Sequence, residues 1–150
     1  MKIYIILAII AISSAAEWKY PSDEEIKSFH ASCLKSFEEK RINKDTEMTS
    51  KERFEVYLCL ARKIGIWSDS EGFSVDKMMI DLDKVATEAR QHYDKQLLRQ
   101  SIESCVDKNS EGSTPFEWAK RCFQCFLNNQ TFLKFISGQK ETVEDYSLDD

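Results

Sequence analysis

Apolar residues recur at helical spacing through most of this chain. Ile26, Phe29 and Cys33 follow one another at intervals of three and four, which places them on one face of a helix. Ser22 precedes them and Glu25 stands three positions later, which is the capping-box arrangement of a helix start. The pattern therefore predicts a first helix that begins directly after Ser22.

Five more segments with the same periodicity follow, separated by glycines and polar residues. The second helix is predicted to start after Thr49 or Ser50 and to end at Gly65, and the third to start at a Ser74 cap. The fourth is predicted to start near Thr87 and the fifth at Thr114-Pro115. The sixth is predicted to end near Gly138. The fourth helix is expected to turn Tyr93, Leu97, Ile102 and Cys105 inward, and residues 66–73 are expected to form a loop. Since no segment shows convincing strand alternation, the predicted fold is all-α, a compact bundle of about six short helices.

The amino terminus has the pattern of a secretory signal peptide. Met1-Lys2 is a short positive start, Ile3–Ile12 is apolar, and Ser14 and Ala16 are small residues suited to a cleavage site. The apolar run is too short to cross a hydrocarbon layer of about 30 Å. We therefore expect cleavage after Ala16, a secreted helical domain over residues 17–150, and a loose acidic tail at residues 139–150.

Composition narrows the function further. The chain has 21 Lys and Arg against 26 Asp and Glu, a formal charge of −5, which argues against a nucleic-acid partner. His30 and His92 fall on predicted helices without the neighbours of a catalytic triad, a zinc site or a helical phospholipase. The sequence accordingly predicts no enzyme, no cofactor and no metal, and solvated histidines are expected.

The five cysteines are expected to form disulfides, because a secreted domain folds in an oxidising compartment. Cys33–Cys59 and Cys105–Cys125 would each join neighbouring helices, which leaves Cys122 as a buried free thiol. A Cys105–Cys122 bridge is the alternative, because Cys122 and Cys125 lie on nearly the same helix face. The Cys122-x-x-Cys125 spacing is also that of redox and zinc motifs, but no strand or second ligand pair accompanies it.

Two stretches resemble the insect odorant-binding proteins, the pheromone- and general-odorant-binding family. Cys59-Leu-Ala-Arg-Lys-Ile-Gly-Ile-Trp, followed by an acidic turn, resembles the family's third cysteine and the stop after it. Ser104-Cys-Val-Asp-Lys-Asn and then Phe116-Glu-Trp-Ala-Lys-Arg-Cys-Phe-Gln-Cys-Phe resemble the region from its fourth to its sixth cysteine. The resemblance extends over about residues 22–137.

The resemblance implies a particular cysteine correspondence. Cys33 matches the first cysteine of the family pattern, Cys59 the third, Cys105 the fourth and Cys125 the sixth; Glu55 and Phe116 occupy the second and fifth positions, and Cys122 is an extra thiol. Both missing cysteines belong to one bridge of the family, so the chain is similar to its cysteine-poor, C-minus branch. Phe116 is expected to fill the space of the lost sulfur.

The resemblance also implies a function, a carrier that holds a small hydrophobic or amphipathic ligand such as an odorant, a pheromone or a fatty-acid-like lipid. The expected walls of its internal cavity are Leu58, Met79, Leu82, Val85, Tyr93, Leu97, Phe116, Phe123, Phe126 and Phe135. We expect the protein to be mostly monomeric and to have no membrane span. We also expect a receptor or a body-fluid protein as a further partner. The alternative is a secreted interaction protein of haemolymph, saliva or reproductive fluid that acts through its surface.

Overall fold

The computed structural model describes residues 17–42 and 44–138, so the predicted signal peptide and acidic tail lie outside the described residues. Within this part of the chain there are six helices and one short hairpin. They are α1 (Asp23–Lys40), α2 (Ser50–Ile64), β1 (Trp67–Ser68), β2 (Gly72–Phe73), α3 (Val75–Glu88), α4 (Lys95–Glu103), α5 (Pro115–Asn128) and α6 (Gln130–Ser137). The fold is all-α, with a hairpin of only two residues per strand. Over the described residues, no helix is both long enough and apolar enough to cross a membrane.

The helix ends are determined locally, as the sequence predicts. Ser22 caps α1 and exchanges two hydrogen bonds with Glu25, and Thr49 caps α2 through the same exchange with Glu52. Gly65 ends α2 in the left-handed region, with φ of 88°, where a residue without Cβ is favoured. These predicted boundaries of the first two helices are confirmed.

The predicted start of the fourth helix is wrong. Helix α3 continues to Glu88, the chain then reverses through Arg90 at φ of 51°, and α4 begins only after Asp94. The Asp94 carboxylate accepts a hydrogen bond from the Leu97 amide at 2.9 Å, which satisfies one of the free amides of the first turn. Tyr93 therefore lies in the loop before α4.

Two neighbouring residues share this correction. His92 lies in the loop rather than on a helix, where it is exposed. On α4 itself the inward residues are Leu98 and Ile102, which are fully buried, whereas Leu97 is half exposed. The apolar pair Leu97-Leu98 leaves the inward residue ambiguous until the helix start is known.

The segment expected as a loop before α3 contains the hairpin. Strands β1 and β2 pair antiparallel, with Trp67 opposite Phe73 and Ser68 opposite Gly72. Gly72 has φ of 79°, and a Cβ there would lie 2.5 Å from the Trp118 ring of α5. The hairpin thus lies directly against α5, a contact that a local pattern cannot reveal.

The hydrophobic core lies between α2, the hairpin and α3–α6. The largest fully buried side chains in this core are Phe54, Phe126, Leu58, Leu98, Ile102 and Cys122. Helix α1 packs mainly along α2, and Cys33 is its one buried residue. One side of the α1–α2 pair is therefore left open.

The segment before α1 crosses α2 and α3. The Trp18 indole nitrogen donates to the Ile64 carbonyl at 3.0 Å, and the Lys77 ammonium lies 5.3 Å from the Trp18 ring. The Tyr20 hydroxyl donates to the partly buried Asp81 carboxylate on α3. Burial raises the pKa of Asp81, with Tyr20 and Lys84 acting against that shift.

Candidate functional site

A groove of about 500 Å³ lies between α1, α2 and the residues just before α2, and is here called the α1–α2 groove. It is lined by Leu34, Met48, Val56 and Leu60, which are apolar, and by His30, Glu47, Arg53 and Tyr57, which carry polar groups. Its volume lies within the range of about 300–1,000 Å³ that is typical of small-molecule sites. The groove is therefore large enough for a small organic ligand.

Helical spacing brings these side chains together. His30 and Leu34 are four positions apart on α1, and Val56 and Leu60 are four apart on α2, so each pair lies on one face of its helix. The Cys33–Cys59 disulfide joins the two helices beside the groove, with the Cα atoms 5.9 Å apart. The bridge thereby holds the separation between the two lining faces.

The end of the groove is organised by Arg41. Its guanidinium donates to the carbonyls of Thr46 and Glu47, each at 2.8 Å, and forms an ion pair with Glu52 at 3.2 Å. Only 6% of the Arg41 side chain is exposed, although the residues that accept its bonds, Thr46 and Glu47, are exposed themselves. Arg53 adds a bond from its Nε to the Met48 carbonyl at 3.2 Å. The segment that closes the groove is thus tied to α1 and α2 through its own backbone.

A second concavity of about 260 Å³, here called the α4–α6 pocket, lies between α4, α6 and the loop before α4. Its lining comprises Gln91, His92, Tyr93, Asp94, Leu97, Leu98, Thr131, Lys134 and Phe135. Three of the residues expected at the ligand site, Tyr93, Leu97 and Phe135, meet here. The two concavities share no lining residue.

Tyr93 is a fixed wall of this pocket. Its hydroxyl donates to Asp83 at 2.7 Å, and Lys95 approaches the same carboxylate at 3.0 Å. Burial raises the pKa of Tyr93 to about 12, and the Asp83 carboxylate adds to that shift. The Tyr93 ring meets the Phe135 ring edge to face, with centroids 5.0 Å apart. The phenol thus keeps its proton and its orientation at neutral pH.

The other residues expected to wall a cavity lie elsewhere. Leu58, Met79 and Phe126 are buried in the continuous core, and Leu82 and Val85 are half-buried on α3. Neither concavity is lined by any of these five. Their contact with ligand stays a prediction.

Phe116 and Phe123, the remaining two, belong to an aromatic cluster between α2 and α5. Both rings pack against Phe54, with centroids 5.6 and 5.2 Å away, and Phe123 also lies 5.1 Å from Tyr57 of the groove. Phe116 thus helps to hold α2 against α5. That its ring fills the space of a lost sulfur stays a prediction. Glu55, at the other position where the family pattern has a cysteine, is exposed. Through Tyr57, this cluster connects the core to the α1–α2 groove.

The cysteines pair as Cys33–Cys59 and Cys105–Cys125, so the alternative bridge from Cys105 to Cys122 does not form. Cys122 is a free thiol with 1% of its surface exposed, and burial raises its pKa. A buried, protonated thiol is a poor nucleophile. Among the described residues, no group of three or more metal-ligating side chains is assembled.

Sequence reasoning missed the α1–α2 groove. From α2 the sequence predicts only Leu58 as a ligand contact, and the apolar stripe of Val56 and Leu60 on the same helix is left aside. That stripe at i and i+4, with Arg53 one turn before Val56, is a visible signal of a second packed face. Which helix lies opposite it is not readable from the stripe.

Comparison of the sequence with known proteins identifies the family of this chain. The model of the PBP/GOBP family matches residues 15–129. Odorant-binding protein 22 of Aedes aegypti is 28% identical over 149 residues, a match that covers 94% of this chain and 100% of that protein. General odorant-binding protein 99a of Drosophila melanogaster is 24% identical over 136 residues, covering 85% of this chain and 89% of that protein. Together with six helices and two disulfides, these matches show that the chain belongs to the PBP/GOBP family of non-enzymatic small-ligand carriers.

Proposed function

We propose that this protein is a secreted carrier that binds a small amphipathic ligand in the α1–α2 groove. The observation that carries the proposal is the lining of the groove, an apolar stripe from two helices next to a few polar side chains. Such a combination is characteristic of sites that take a mostly apolar molecule and orient it by its polar end.

The positions of the side chains suggest which end of the ligand goes where. Leu34, Val56 and Leu60 offer contacts to a hydrocarbon chain, whose burial is worth about 0.8 kcal/mol per CH₂. Arg53 carries nitrogen donors beyond the one that it gives to Met48, and these suit a carbonyl or carboxylate oxygen. A fatty-acid-like molecule or an odorant with a carbonyl head matches this lining.

The test combines a fluorescent apolar probe, N-phenyl-1-naphthylamine, with decanoic acid and decanol as competitors. Wild-type protein should bind the probe and release it to both. Leu34→Trp should fill the groove and weaken probe binding at least tenfold. Ile80→Trp is the matched control, because Ile80 is 49% exposed on α3 and lines neither concavity.

The polar end is tested by Arg53→Gln, which removes the charge and keeps a polar side chain. Affinity for decanoic acid should fall several-fold more than affinity for decanol. Equal probe binding by wild type and Leu34→Trp would move the ligand site away from the groove. If the wild type binds no probe at all, the proposed carrier function is wrong, and the alternative of a protein that acts through its surface is favoured.

A further inference from the structure

The junction between α5 and α6 contains an acceptor sequence for N-glycosylation, here called the sequon. Asn129-Gln130-Thr131 has the Asn-x-Ser/Thr pattern with no proline in the middle position, and no other asparagine of the chain stands two positions before a serine or threonine. A glycan is bulky and stays at the surface of a secreted protein. The orientation and surroundings of the Asn129 amide therefore decide whether the fold can accommodate one.

The Asn129 side chain caps α6 with its oxygen. Its Oδ1 accepts hydrogen bonds from the backbone amides of Thr131 at 3.0 Å and Phe132 at 3.2 Å. A flipped amide would place the Nδ2 hydrogens against these two N–H donors, so the cap determines the orientation. The nitrogen is therefore the atom of this amide that takes no part in the cap.

The Asn129 nitrogen is also open to solvent. Nδ2 donates no hydrogen bond within the described structure, and it is not one of the two buried side-chain atoms that lack a partner there. Water therefore reaches Nδ2, although the residue as a whole is half-buried. The atom to which a glycan is linked is thus the one that the fold leaves available.

We propose that Asn129 carries an N-linked oligosaccharide, a modification that rests on the proposed secretion of the protein. The sugar donor is an oligosaccharide on a lipid diphosphate of the endoplasmic reticulum. The bond from its first sugar carbon to the diphosphate breaks, a bond from Asn129 Nδ2 to that carbon forms, one Nδ2 proton is released, and the lipid diphosphate leaves. Because Oδ1 is unchanged, the glycosylated side chain can still cap α6.

The glycan is attached away from the α1–α2 groove. None of the residues that line the groove belongs to α5 or α6. Thr131 lines the α4–α6 pocket, so the first sugar lies beside that pocket. We therefore expect the modification to leave ligand binding in the groove unchanged.

The first experiment locates the modification in the full chain, secreted from insect cells with its own residues 1–16. The tryptic peptide 122–134 is treated with peptide-N-glycosidase A in heavy-oxygen water. The treatment should remove one oligosaccharide and leave a heavy-oxygen-labelled aspartate in place of Asn129. Asn128 is the internal control, because it is exposed and lies in the same peptide outside the sequon pattern, and it should stay unlabelled.

The second experiment separates the acceptor nitrogen from the sequon hydroxyl. Asn129→Asp keeps an oxygen for the α6 cap and removes the nitrogen, so the secreted variant should keep both disulfides and lack the glycan. Thr131→Val removes the hydroxyl, which forms no hydrogen bond in the described structure, and should also abolish glycosylation. Thr131→Ser retains the sequon and should retain the glycan. The groove probe N-phenyl-1-naphthylamine should bind wild type and Asn129→Asp equally.

Two results would overturn the proposal and leave secretion in place. An unmodified peptide 122–134 from the secreted wild type would show that Asn129 is not used, and a glycan that persists in Thr131→Val would lie outside the sequon. Retention of the chain in the cell without a glycan would overturn both the proposal and the secretion on which it rests. Weaker probe binding by the glycosylated form alone would contradict the placement of the glycan away from the groove. Absence of probe binding in every form would affect only the proposed carrier function.

Discussion

Helices α1 and α5 each carry one cysteine of a disulfide, but they are held in the fold by different means. Helix α1 has 18 residues, of which only Cys33 is buried, and the groove opens along its contact with α2. Helix α5 has 14 residues and buries Trp118, Ala119, Cys122 and Phe126. The comparison indicates that a disulfide substitutes for core packing in the α1–α2 pair, and that open space for a ligand occurs where packing is thin.

The largest loss of stability is expected from removing a core side chain of α5. Phe126 is 1% exposed and packs its ring against Phe73 and Phe132, with centroids 5.5 and 5.6 Å away. Phe126→Ala should lower the free energy of unfolding by about 3–5 kcal/mol, because it deletes a buried ring and leaves a cavity. Urea denaturation at fixed pH measures this change.

Phe29→Ala is the matched substitution on α1, where the ring is only half-buried. It should lower the free energy of unfolding by less than half as much as Phe126→Ala, since less apolar surface is removed from water. Similar losses for the two variants would contradict the contrast between the helices.

Removing either disulfide is expected to lower the free energy of unfolding by a similar amount. The two losses should appear in different parts of the fold. Cys33–Cys59 spans 26 positions and Cys105–Cys125 spans 20, and chain entropy assigns each loop about 3 kcal/mol. Replacing the first pair with alanine should also release α1, because little else on that helix is buried. Hydrogen exchange of the α1 amides should then accelerate well beyond the change in global stability.

Alanine in place of Cys105 and Cys125 is the control for that experiment. Because α5 keeps its four buried residues, its amides should exchange no faster than global unfolding permits. Slow exchange of α1 without its bridge would mean that packing on α2 is sufficient to hold it.

A smaller loss is expected at the hairpin that packs on α5. Gly72→Ala should cost about 2–3 kcal/mol, since φ of 79° disfavours any Cβ and the new atom would press into the Trp118 ring. Gly112→Ala is the control, with φ of 71° but open space around the new atom. It should cost only about 1 kcal/mol. Thermal unfolding of both variants separates backbone strain from crowding.

The smallest effects concern two carboxylates whose pKa values move in opposite directions. The Arg121 guanidinium lowers the pKa of Asp107 through bonds at 2.9 and 3.1 Å, and burial raises the pKa of Asp81. The ionised Asp107 therefore contributes stability above its unfolded-state pKa, and this is lost as pH falls through its lowered value. The ionised Asp81 is unfavourable, and protonation relieves that cost as pH falls below its raised value.

Two asparagine variants test these signs in urea denaturation over a pH series. Asp107→Asn should be less stable than wild type at neutral pH, with a difference that closes on acidification. Asp81→Asn should be more stable at neutral pH, because its amide oxygen still accepts from Tyr20, and this difference should also close in acid. If both variants were more stable than wild type at neutral pH, or both less stable, the opposite pKa shifts assigned to Asp107 and Asp81 would be contradicted.

Most helix boundaries were predictable because a helix end is satisfied by residues within one turn of it. Ser22, Thr49 and Thr114 each accept a hydrogen bond from a backbone amide three positions later, and each could be recognised from its neighbours alone. The start of α4 was missed because Thr87 offered an equally plausible local start, and its hydroxyl instead bonds the Asp83 carbonyl within α3 at 2.7 Å.

The sequence by itself determined the all-α class, the caps and the candidate bridging cysteines, since each depends on spacing along one helix or on residue chemistry. Only the tertiary structure decided where open space remains. Val56 and Leu60 border the groove because α1 lies across from them. Gln91 borders a pocket beside α6, where its Nε2 donates a hydrogen bond to the carbonyl of Phe135, 44 positions away. Such spaces arise from the relative placement of elements far apart in the chain, on which a local pattern of apolar and polar residues carries no information.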